Sequence, residues 1–346
     1  MTTFWAAIFV FGILIFFHEL GHFAVAKAVG IKVYEFSLGF GPKLVGVLRS
    51  GTVYNLRLLP LGGFVRMAGM DPEDKEAGEG ERFGDKSVMQ RMAVIAAGPL
   101  MNFVLAWLLF AIILVALGGD PIADSTSIKD VVPGSPAQQV GLQGGDEIYS
   151  IEGQKVAGWQ DITSAIHQRP GQATDIVVLR GGQQLEYQVT PQTAEEGRGV
   201  IGIYPYRESV NALLAMTMGV KLTGQTVYNI IYFIGQMFTG RVPADLGGPV
   251  RIVYEIDRAV ETGVLFLLQL AAFLSINLGL FNLFPIPALD GSRLIFLGFE
   301  ALRGRPVDPA RENYIHLVGF GFLLLLVVFI TYNDILQLLM KNAPSP

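Results

Sequence analysis

The sequence predicts a polytopic α-helical membrane protein with four transmembrane helices, a membrane-associated β-hairpin and one extracytoplasmic α+β domain. Hydrophobic residues make up 51% of the 346 residues and charged residues only 16%, and the mean hydropathy is +0.45. Both values are typical of membrane proteins. The clearest observation is a set of four nearly uncharged stretches, each long enough to cross a bilayer, which takes about 20 helical residues. These stretches are Phe4–Ala26, Met92–Gly119, Thr262–Leu289 and Tyr314–Asn333.

The four stretches divide the chain into nine predicted segments. The first stretch has no basic start and no small-residue cleavage site, so we interpret it as a retained span rather than a signal peptide. Residues 209–240 are apolar but contain several polar side chains, which favours an amphipathic surface helix over a fifth span. The predicted segments are span one (1–30), a cytoplasmic or membrane-reentrant β-hairpin region with an acidic loop (31–90), span two (91–119), the α+β domain (120–206), amphipathic membrane-surface helices (207–261), span three (262–290), a cytoplasmic loop (291–313), span four (314–337) and a C-terminal tail (338–346).

The lysines and arginines predict the orientation of the spans, because loops rich in positive charge stay in the cytoplasm. The connection between spans one and two carries Lys32, Lys43, Arg49, Arg57, Arg66, Lys75, Arg82, Lys86 and Arg91, and the connection between spans three and four carries Arg293, Arg303, Arg305 and Arg311. Both connections are therefore predicted to be cytoplasmic. The N-terminus, residues 120–261 and the C-terminus then lie outside.

Charge and composition exclude several classes of function. The net charge is −5 and the positive residues are dispersed, so we predict no nucleic-acid partner. The chain has no cysteine, which excludes disulfides, a thiolate zinc site and a cysteine nucleophile. A search for metal ligands is short, because the four histidines are His18, His22, His167 and His316.

Residues 32–67 predict a β-hairpin. The segment is rich in β-branched and aromatic residues, has a turn signal at 49–52 and alternates loosely over Val53–Leu59. Gly39, Gly41, Gly62 and Gly63 stand where the backbone bends sharply or is approached closely by another chain. Ordinary turn glycines in a cytoplasmic hairpin are the alternative interpretation.

Residues 120–206 predict a small α+β domain. Ser135 is a good helix N-cap before Pro136, and Gly141 can end that short helix. Strands are predicted at Glu147–Ile151, around 175–180 and around 184–190, and a second helix at 159–168. The order SPA, GL, GGDEI, a glycine turn and a tryptophan-containing helix resembles a bacterial PDZ domain.

Two histidines and a glutamate interrupt the first apolar stretch in the sequence FFHELGHFAV, residues 16–25. On a helix, His18 and His22 lie about 40° apart around the axis, so both imidazoles can hold one ion. Glu19 lies one position away, where it can touch a metal-bound water without ligating the metal. HExxH is the spacing of zinc metallopeptidases, in which the glutamate accepts and relays a proton. A chance match, or an HELGH segment solvated at the membrane interface, is the alternative, although ionisable residues inside a span favour a functional explanation.

A catalytic zinc needs a third protein ligand and an open position for water. Asp290 is the best candidate, because it follows Pro285 and Pro287, which interrupt the helix and leave backbone groups to line a cavity. The predicted membrane orientation supports this choice, since His18–His22 and Asp290 both lie near the inner ends of inward-running spans. An ordinary aspartate at the end of a span is the alternative, and histidine and carboxylate ligands alone do not identify the metal.

Taken together, these motifs resemble the site-2 protease family (peptidase M50), in its bacterial regulator-of-sigma-E protease branch with a single PDZ domain. The resemblance covers nearly the whole chain, and the pairing of HELGH with LDG at this separation is its most specific feature. The matching motifs are HELGH at 18–22, GFG at 39–41, PLGG at 60–63, GPLMN at 98–102 and NLFPIPALDG at 282–291.

The family resemblance implies an intramembrane zinc metalloprotease in a bacterial cytoplasmic (inner) membrane. It implies one Zn²⁺ held by His18, His22 and Asp290, with Glu19 as the catalytic base. The implied substrates are single-pass transmembrane proteins, such as anti-sigma factors after a first external cut, and remnant signal peptides. We expect substrate contacts at Asn277, Asn282, Gly39, Gly41, Gly62, Gly63, Pro285 and Pro287.

The resemblance to PDZ domains implies binding of peptide C-termini by strand addition. The carboxylate-binding turn would match Gly199, Val200, Ile201, Gly202 and Ile203. A purely structural spacer or a size filter is the alternative role for this domain. Some relatives carry two tandem PDZ domains, whereas this chain has room for one.

Two other classes of function are alternatives. A membrane-anchored PDZ adaptor with a structural metal would explain residues 120–206 but gives Glu19 no role. A transporter with a broken third helix would use the ionisable residues as an ion path, but the four spans show no internal repeat. The protease hypothesis explains all the motifs.

Overall fold

The computed structural model describes residues 2–70, 77–118, 125–194, 197–206, 210–242 and 247–341. The chain forms two compact units, one of Met1–Ile113 with Met216–Pro346 and one of Leu114–Ala215. Part of the acidic run 71–81 and the last residues of the predicted tail lie outside the described residues. The helices are α1 (Thr2–Ala28), α2 (Val88–Leu117), α3 (Pro136–Val140), α4 (Trp159–His167), α5 (Ala212–Phe238), α6 (Pro249–Thr262), α7 (Val264–Asn282), α8 (Asp290–Arg303) and α9 (Pro309–Lys341).

Four helices of the described chain are long and apolar enough to cross a membrane. They are α1, α2, α7 and residues 310–337 of α9. This confirms the predicted fold class and its four spans. The amphipathic α5 is not among them, and its Val227 and Ile230 pack against the core formed by α1, α2 and α7.

The third predicted span differs from the structure at both ends. Helix α7 begins after Gly263 and ends at Asn282, instead of covering residues 262–290. Pro285 and Pro287 have no N–H to continue the helix, so residues 283–289 form a turn segment. Asp290 therefore does not end a span but is the first residue of α8.

Residues 291–313 were predicted as a loop, which is wrong for most of their length. Helix α8 continues to Arg303 and ends at Gly304, whose φ of 68° suits a glycine. The positive charges of this segment do not determine its local conformation, and α8 buries Leu297 while leaving Leu302 exposed. Helix α9 likewise continues to Lys341, beyond the predicted start of the tail at residue 338.

The predicted hairpin is a folded sheet made from two long strands that pair with each other, β1 (Val33–Arg49) and β2 (Thr52–Met67). Both strands bend, so the first half of β1 is paired on both sides: Phe36 faces Tyr54 on one side and Val65 on the other. The order across the sheet is therefore residues 63–67, 33–38, 52–57 and 43–49. We call residues 63–67 the inner segment and residues 43–49 the outer segment.

The two ends of this sheet have different surroundings. Met67 of the inner segment is buried in a cluster with Ala26 of α1 and Val94 of α2. In the outer segment, Val47 and Leu48 are 60% and 70% exposed. An exposed apolar ribbon is stable against lipid rather than water, which agrees with the membrane-associated hairpin of the predicted fold.

The helices of this unit pack through small residues and one buried carboxylate. A Cβ on Gly21 of α1 would lie 2.1 Å from the carbonyl oxygen of Ala97 in α2, a close approach typical of packed membrane helices. Asp334 of α9 is 4% exposed and accepts hydrogen bonds from the N–H groups of Gly248 and Arg251. Asp334 thereby caps the N-terminus of α6 from a neighbouring helix.

The second unit is an α+β domain with an isoleucine-rich core, which includes Ile128, Ile148, Ile162 and Ile176. Its main sheet has the order β5-β4-β6-β7, and β10 pairs with β3 and β8 with β9. The strands are β3 (Ile128–Val131), β4 (Glu147–Ile151), β5 (Gln154–Lys155), β6 (Thr174–Arg180), β7 (Gln183–Val189), β8 (Gln192–Thr193), β9 (Gly199–Val200) and β10 (Ile203–Pro205).

The predicted local signals of this domain occur in the structure. Ser135 caps α3 by accepting the N–H of Gln138, and Gly141 ends α3 with a φ of 91°. Asp146 is buried and paired with Arg180, whose Nε lies 2.6 Å from its Oδ1. Burial alone would raise the pKa of Asp146, but the hydrogen bonds from Arg180 and from the Gln143 N–H hold it below its usual range.

Candidate metal centre

The HELGH sequence lies on α1, as the spacing predicts. The rings of His18 and His22 face each other with their centroids 4.9 Å apart, and their Nε2 atoms are 3.2 Å apart. His22 is 7% exposed and His18 is half-buried. The two imidazoles therefore present their Nε2 atoms to one point beside the helix.

Asp290 reaches the same point from the start of α8. Its Oδ2 lies 3.3 Å from Nε2 of His18 and 3.3 Å from Nε2 of His22. One ligand atom from each of the three residues falls within 4.8 Å of the others. Asp290 lies far from the HELGH motif in the sequence, and the structure brings their side chains together.

The three residues fit a zinc ion. Oδ2 of Asp290 is buried without a hydrogen-bond partner in the described chain, although it faces two ring nitrogens. Three converging lone pairs repel one another unless a proton or a cation lies between them. Two imidazole nitrogens and one carboxylate oxygen are also a known ligand set for catalytic zinc, with a fourth position left for water.

Helix α2 fixes the orientation of both imidazoles from behind. Nδ1 of His22 lies 2.9 Å from the carbonyl oxygen of Val94, and Nδ1 of His18 lies 3.1 Å from the side-chain amide of Asn102. A carbonyl can only accept, so His22 carries its proton on Nδ1 and leaves Nε2 free to ligate. Sequence reasoning did not assign either contact.

Gly98 is the residue that lets α2 come this close. A Cβ at Gly98 would lie 2.2 Å from Nε2 of His22. Any larger side chain would therefore occupy the space of a ligand atom. This close approach explains the glycine of the GPLMN motif, and the contact of Asn102 with His18 explains its asparagine.

Glu19 lies beside the inner segment of the hairpin. A Cβ on Gly63 would be 3.0 Å from Cγ of Glu19 and 3.0 Å from Cγ2 of Ile15. The missing side chain of Gly63 thus gives the space in which the Glu19 side chain lies. The inner segment is paired on one side only, with β1, within the described residues.

The other predicted hairpin glycines bend the strands. Gly39 and Gly41 have φ values of 88° and 82°, which only glycine adopts readily. A Cβ on Gly62 would lie 1.9 Å from the ring of Phe40. These three glycines shape the sheet, whereas Gly63 contacts the candidate catalytic residue.

The polar cluster of the hairpin is centred on Glu35. Its Oε1 accepts hydrogen bonds from Ser37, from Asn55 at 2.6 Å and from Arg57 at 2.6 Å. Partial burial would raise the pKa of Glu35, but these three donors and the charge of Arg57 lower it to about 2. Glu35 is therefore ionised at neutral pH and ties the strands together.

The predicted substrate-contacting asparagines lie on the last turns of α7. The side-chain amide of Asn277 donates to the Phe273 carbonyl at 2.8 Å, and that of Asn282 donates to the Leu278 carbonyl at 2.9 Å. Both amides are thus hydrogen-bonded within their own helix. Pro285 and Pro287 lie in the turn segment that leads from α7 to Asp290.

His316 holds this turn segment, which sequence reasoning missed. Its Nδ1 accepts the N–H of Ala288 at 3.0 Å, and Ala288 has a φ of 77°, a conformation that alanine rarely adopts. Pro287 also packs on Gly319 of α9, where an added Cβ would lie 2.2 Å from the Cβ of Pro287. The only sequence signal was a histidine inside a span.

Helix α8 is anchored at its other end by an ion pair. Arg91 at the start of α2 forms two hydrogen bonds with the carboxylate of Glu300, at 2.5 Å and 3.0 Å. Both side chains are largely buried. Because α8 begins with Asp290, this bidentate pair restrains the helix that carries the third candidate ligand.

The residues predicted as the PDZ carboxylate turn span β9 and β10. Gly199 and Val200 form β9, Gly202 has a φ of 78°, and Ile203 begins β10. The carbonyl of Ile201 accepts the N–H of Ala137 at 2.9 Å. Strand β10 is paired only with β3 among the described strands.

Comparison with known proteins identifies similar chains. The model of Peptidase family M50 matches residues 6–326. The chain is 35% identical over 422 aligned positions to Zinc metalloprotease RasP of Bacillus licheniformis, covering 98% of this chain and 100% of the relative. It is 35% identical to Regulator of sigma-W protease RasP of Bacillus subtilis, covering 96% and 98%, and 31% identical to Probable protease eep of Enterococcus faecalis, covering 97% and 99%.

A search of solved structures finds PDZ domains. The PDZ domain of an SdrC-like protein from Listeria monocytogenes is 24% identical, covers 25% of this chain and 92% of that chain, and has a TM-score of 0.22. The corresponding domain from Listeria innocua covers 25% of this chain at 24% identity, with a TM-score of 0.23.

Proposed function

This chain belongs to peptidase family M50, and we propose that it hydrolyses peptide bonds within the transmembrane segments of single-pass proteins. The family membership confirms the resemblance predicted from the sequence. The protein is a zinc metalloprotease of the inner membrane with Zn²⁺ as its cofactor. The residues that perform the reaction, the substrates and the orientation are our proposal.

The observation that carries this proposal is the convergence of His18, His22 and Asp290 on one point beside Glu19. The three ligand atoms approach one another within 4.8 Å. The site lies on a helix long enough to span a bilayer, where ionisable groups are costly without a function. A water-soluble peptidase would not need its ligands on such a helix.

Each polar residue of the site has a role in hydrolysis. When bound, zinc polarises a carbonyl and lowers the pKa of water. Glu19 accepts the proton of the attacking water and passes it to the departing amide nitrogen. His18, His22 and Asp290 hold the ion and leave one position open.

A substrate span must unwind before water can attack it, because helical hydrogen bonds shield its peptide bonds. We place the unwound strand along the unpaired edge of the inner segment, next to Gly63. Pairing there replaces part of the helix hydrogen bonds that are lost in hydrocarbon. Gly39, Gly41 and Gly62 support this edge by bending the strands that carry it.

Asn277 and Asn282 are proposed to contact the substrate or its developing oxyanion. Each amide has two N–H donors, and the hydrogen bond to its own helix uses one of them. A second N–H on each residue could then bind a carbonyl of the substrate. Pro285 and Pro287 keep the adjoining backbone non-helical and so leave room for an extended chain.

The domain of residues 120–206 is proposed to be a PDZ domain on the outer side of the membrane. The unpaired edge of β10 and the turn Gly199–Ile203 would receive a peptide C-terminus. The domain would admit only substrates whose outer part has been removed, such as anti-sigma factors after a first cut, or remnant signal peptides. Unchanged discrimination against intact substrates after deletion of residues 121–206 would count against this role.

The alternative is a membrane-anchored PDZ adaptor whose metal is structural. Detergent-purified wild-type protein and the Glu19→Gln variant should each be incubated with single-pass transmembrane peptides, with and without a chelator. We expect wild-type cleavage that the chelator abolishes, and a Glu19→Gln variant that binds zinc but does not cleave. Cleavage by Glu19→Gln at the wild-type rate would remove Glu19 from the mechanism.

A further inference from the structure

We propose that Asn102 is a positioning residue that holds His18 in the tautomer needed for zinc. Its side-chain amide lies 3.1 Å from Nδ1 of His18, on the far side of the ring from Asp290. The inference rests on the proposed function only in taking His18 as a zinc ligand. It assigns a task to the last residue of the GPLMN motif.

Asn102 is fixed in place by the packing of α2 on α7. The residue is 0% exposed, and its main-chain carbonyl accepts the Ser275 hydroxyl at 2.9 Å. A Cβ on Gly279 would lie 3.2 Å from Cβ of Asn102. The main chain and Cβ of Asn102 are thus held in place, so the position of its amide beside His18 follows from the helix packing.

The tautomer of His18 decides which atom of the Asn102 amide must face Nδ1. If Nε2 gives its lone pair to a metal, Nδ1 carries the proton and needs an acceptor. In the structure the amide nitrogen is nearest to Nδ1, and Oδ1 is buried without a partner in the described chain. A half-turn of the amide exchanges the two atoms, so that Oδ1 accepts the Nδ1 proton.

The two zinc histidines are therefore oriented by different means. His22 uses the backbone carbonyl of Val94, which no substitution removes. His18 uses a side chain, which mutation can change. Helix α2 supplies no ligand, yet it orients both imidazoles.

The test measures zinc affinity, not cleavage alone. Full-length protein in detergent is stripped of metal and titrated with zinc against a competing chelator, and the visible spectrum is recorded after cobalt substitution. Asn102→Leu keeps the size but removes the acceptor, and we expect about 10- to 100-fold weaker zinc binding. Asn102→Asp keeps an acceptor, so we expect no loss of affinity and an unchanged cobalt spectrum.

Ser275→Ala is the matched control, because it removes a buried hydrogen bond to Asn102 without touching the amide. We expect a lower unfolding temperature for this variant and a loss of zinc affinity well below that of Asn102→Leu, because the amide that faces His18 is still present. Wild-type zinc affinity in Asn102→Leu would overturn the proposal. If Asn102→Leu does not fold, Asn102→Asp decides, and a weakened zinc affinity in that variant would overturn it.

This readout separates the inference from the proposed function. Weaker zinc binding by Asn102→Leu supports the positioning role even if the wild type cleaves no transmembrane peptide. If zinc affinity does not change in His18→Ala, both the ligand assignment and the positioning role are wrong.

Discussion

Replacing Gly98 by alanine should disrupt zinc binding. The added Cβ would lie 2.2 Å from Nε2 of His22, about 1.3 Å short of an ordinary contact of roughly 3.5 Å. Metal–ligand distances tolerate only about 0.2 Å, so either His22 or the helix must move too far for normal coordination. Overpacking of this kind costs about 1–3 kcal/mol, which exceeds the roughly 1 kcal/mol that alanine gains over glycine in a helix.

The assay is the zinc content of purified Gly98→Ala protein, followed by peptide cleavage. We expect substoichiometric zinc and loss of most activity in a protein that still folds. Gly12→Ala is the matched control, because a Cβ there meets nothing within 4 Å in the described structure. A Gly98→Ala protein with full zinc and wild-type cleavage would refute the close approach of α2 to His22.

Three further predictions concern the turn before Asp290, the edge of the hairpin sheet and the Glu35 cluster. His316→Ala should lower zinc affinity, because Ala288 would lose the acceptor that holds its left-handed conformation two residues before Asp290; unchanged zinc titration would contradict this. Proline at Phe64 in the inner segment should abolish cleavage and spare zinc content, whereas proline at Val47 in the outer segment should not affect cleavage; turnover that survives proline at Phe64 would exclude strand pairing there. The folded-state pKa of Glu35 is about 2, below its usual 4.5, so its contribution to stability is complete above about pH 4.5 and is lost as the pH falls towards 2. In thermal unfolding measured against pH, Glu35→Gln should therefore lose less stability in acid than the wild type. An identical pH dependence of the two proteins would contradict the role given to Glu35.

The three candidate ligands could be identified from the sequence because their signals are local. HExxH places two imidazoles on one helix face by its spacing alone, and the prolines before Asp290 mark a break in an apolar stretch. The capping of α3 by Ser135 and its end at Gly141 followed from the same kind of short-range chemistry.

The residues that support the ligands were not predictable, because their partners are distant in the sequence. Asn102 contacts His18 across 84 positions, and His316 contacts Ala288 across 28. Nothing in the neighbouring sequence of Gly98 indicates that it faces His22. Such contacts depend on how the helices pack, which periodicity does not determine.

Two errors in the fold have a similar cause. Arg293 and Arg303 belong to a segment whose charge favours a connection between spans, but the same residues lie on the amphipathic helix α8, Asp290–Arg303. The sheet of the hairpin was predicted as two paired strands, but both strands bend, so that residues 33–38 pair twice. Gly39 and Gly41 permit the bend, but the local sequence does not show which segments the bent strands then pair with.

The most direct test is to locate zinc by anomalous diffraction in crystals of the active, zinc-loaded protein. We predict one zinc peak about 2.0–2.2 Å from Nε2 of His18, Nε2 of His22 and Oδ2 of Asp290. A zinc peak elsewhere in an active preparation, or Asp290 beyond bonding distance of the ion, would contradict the proposed metal centre.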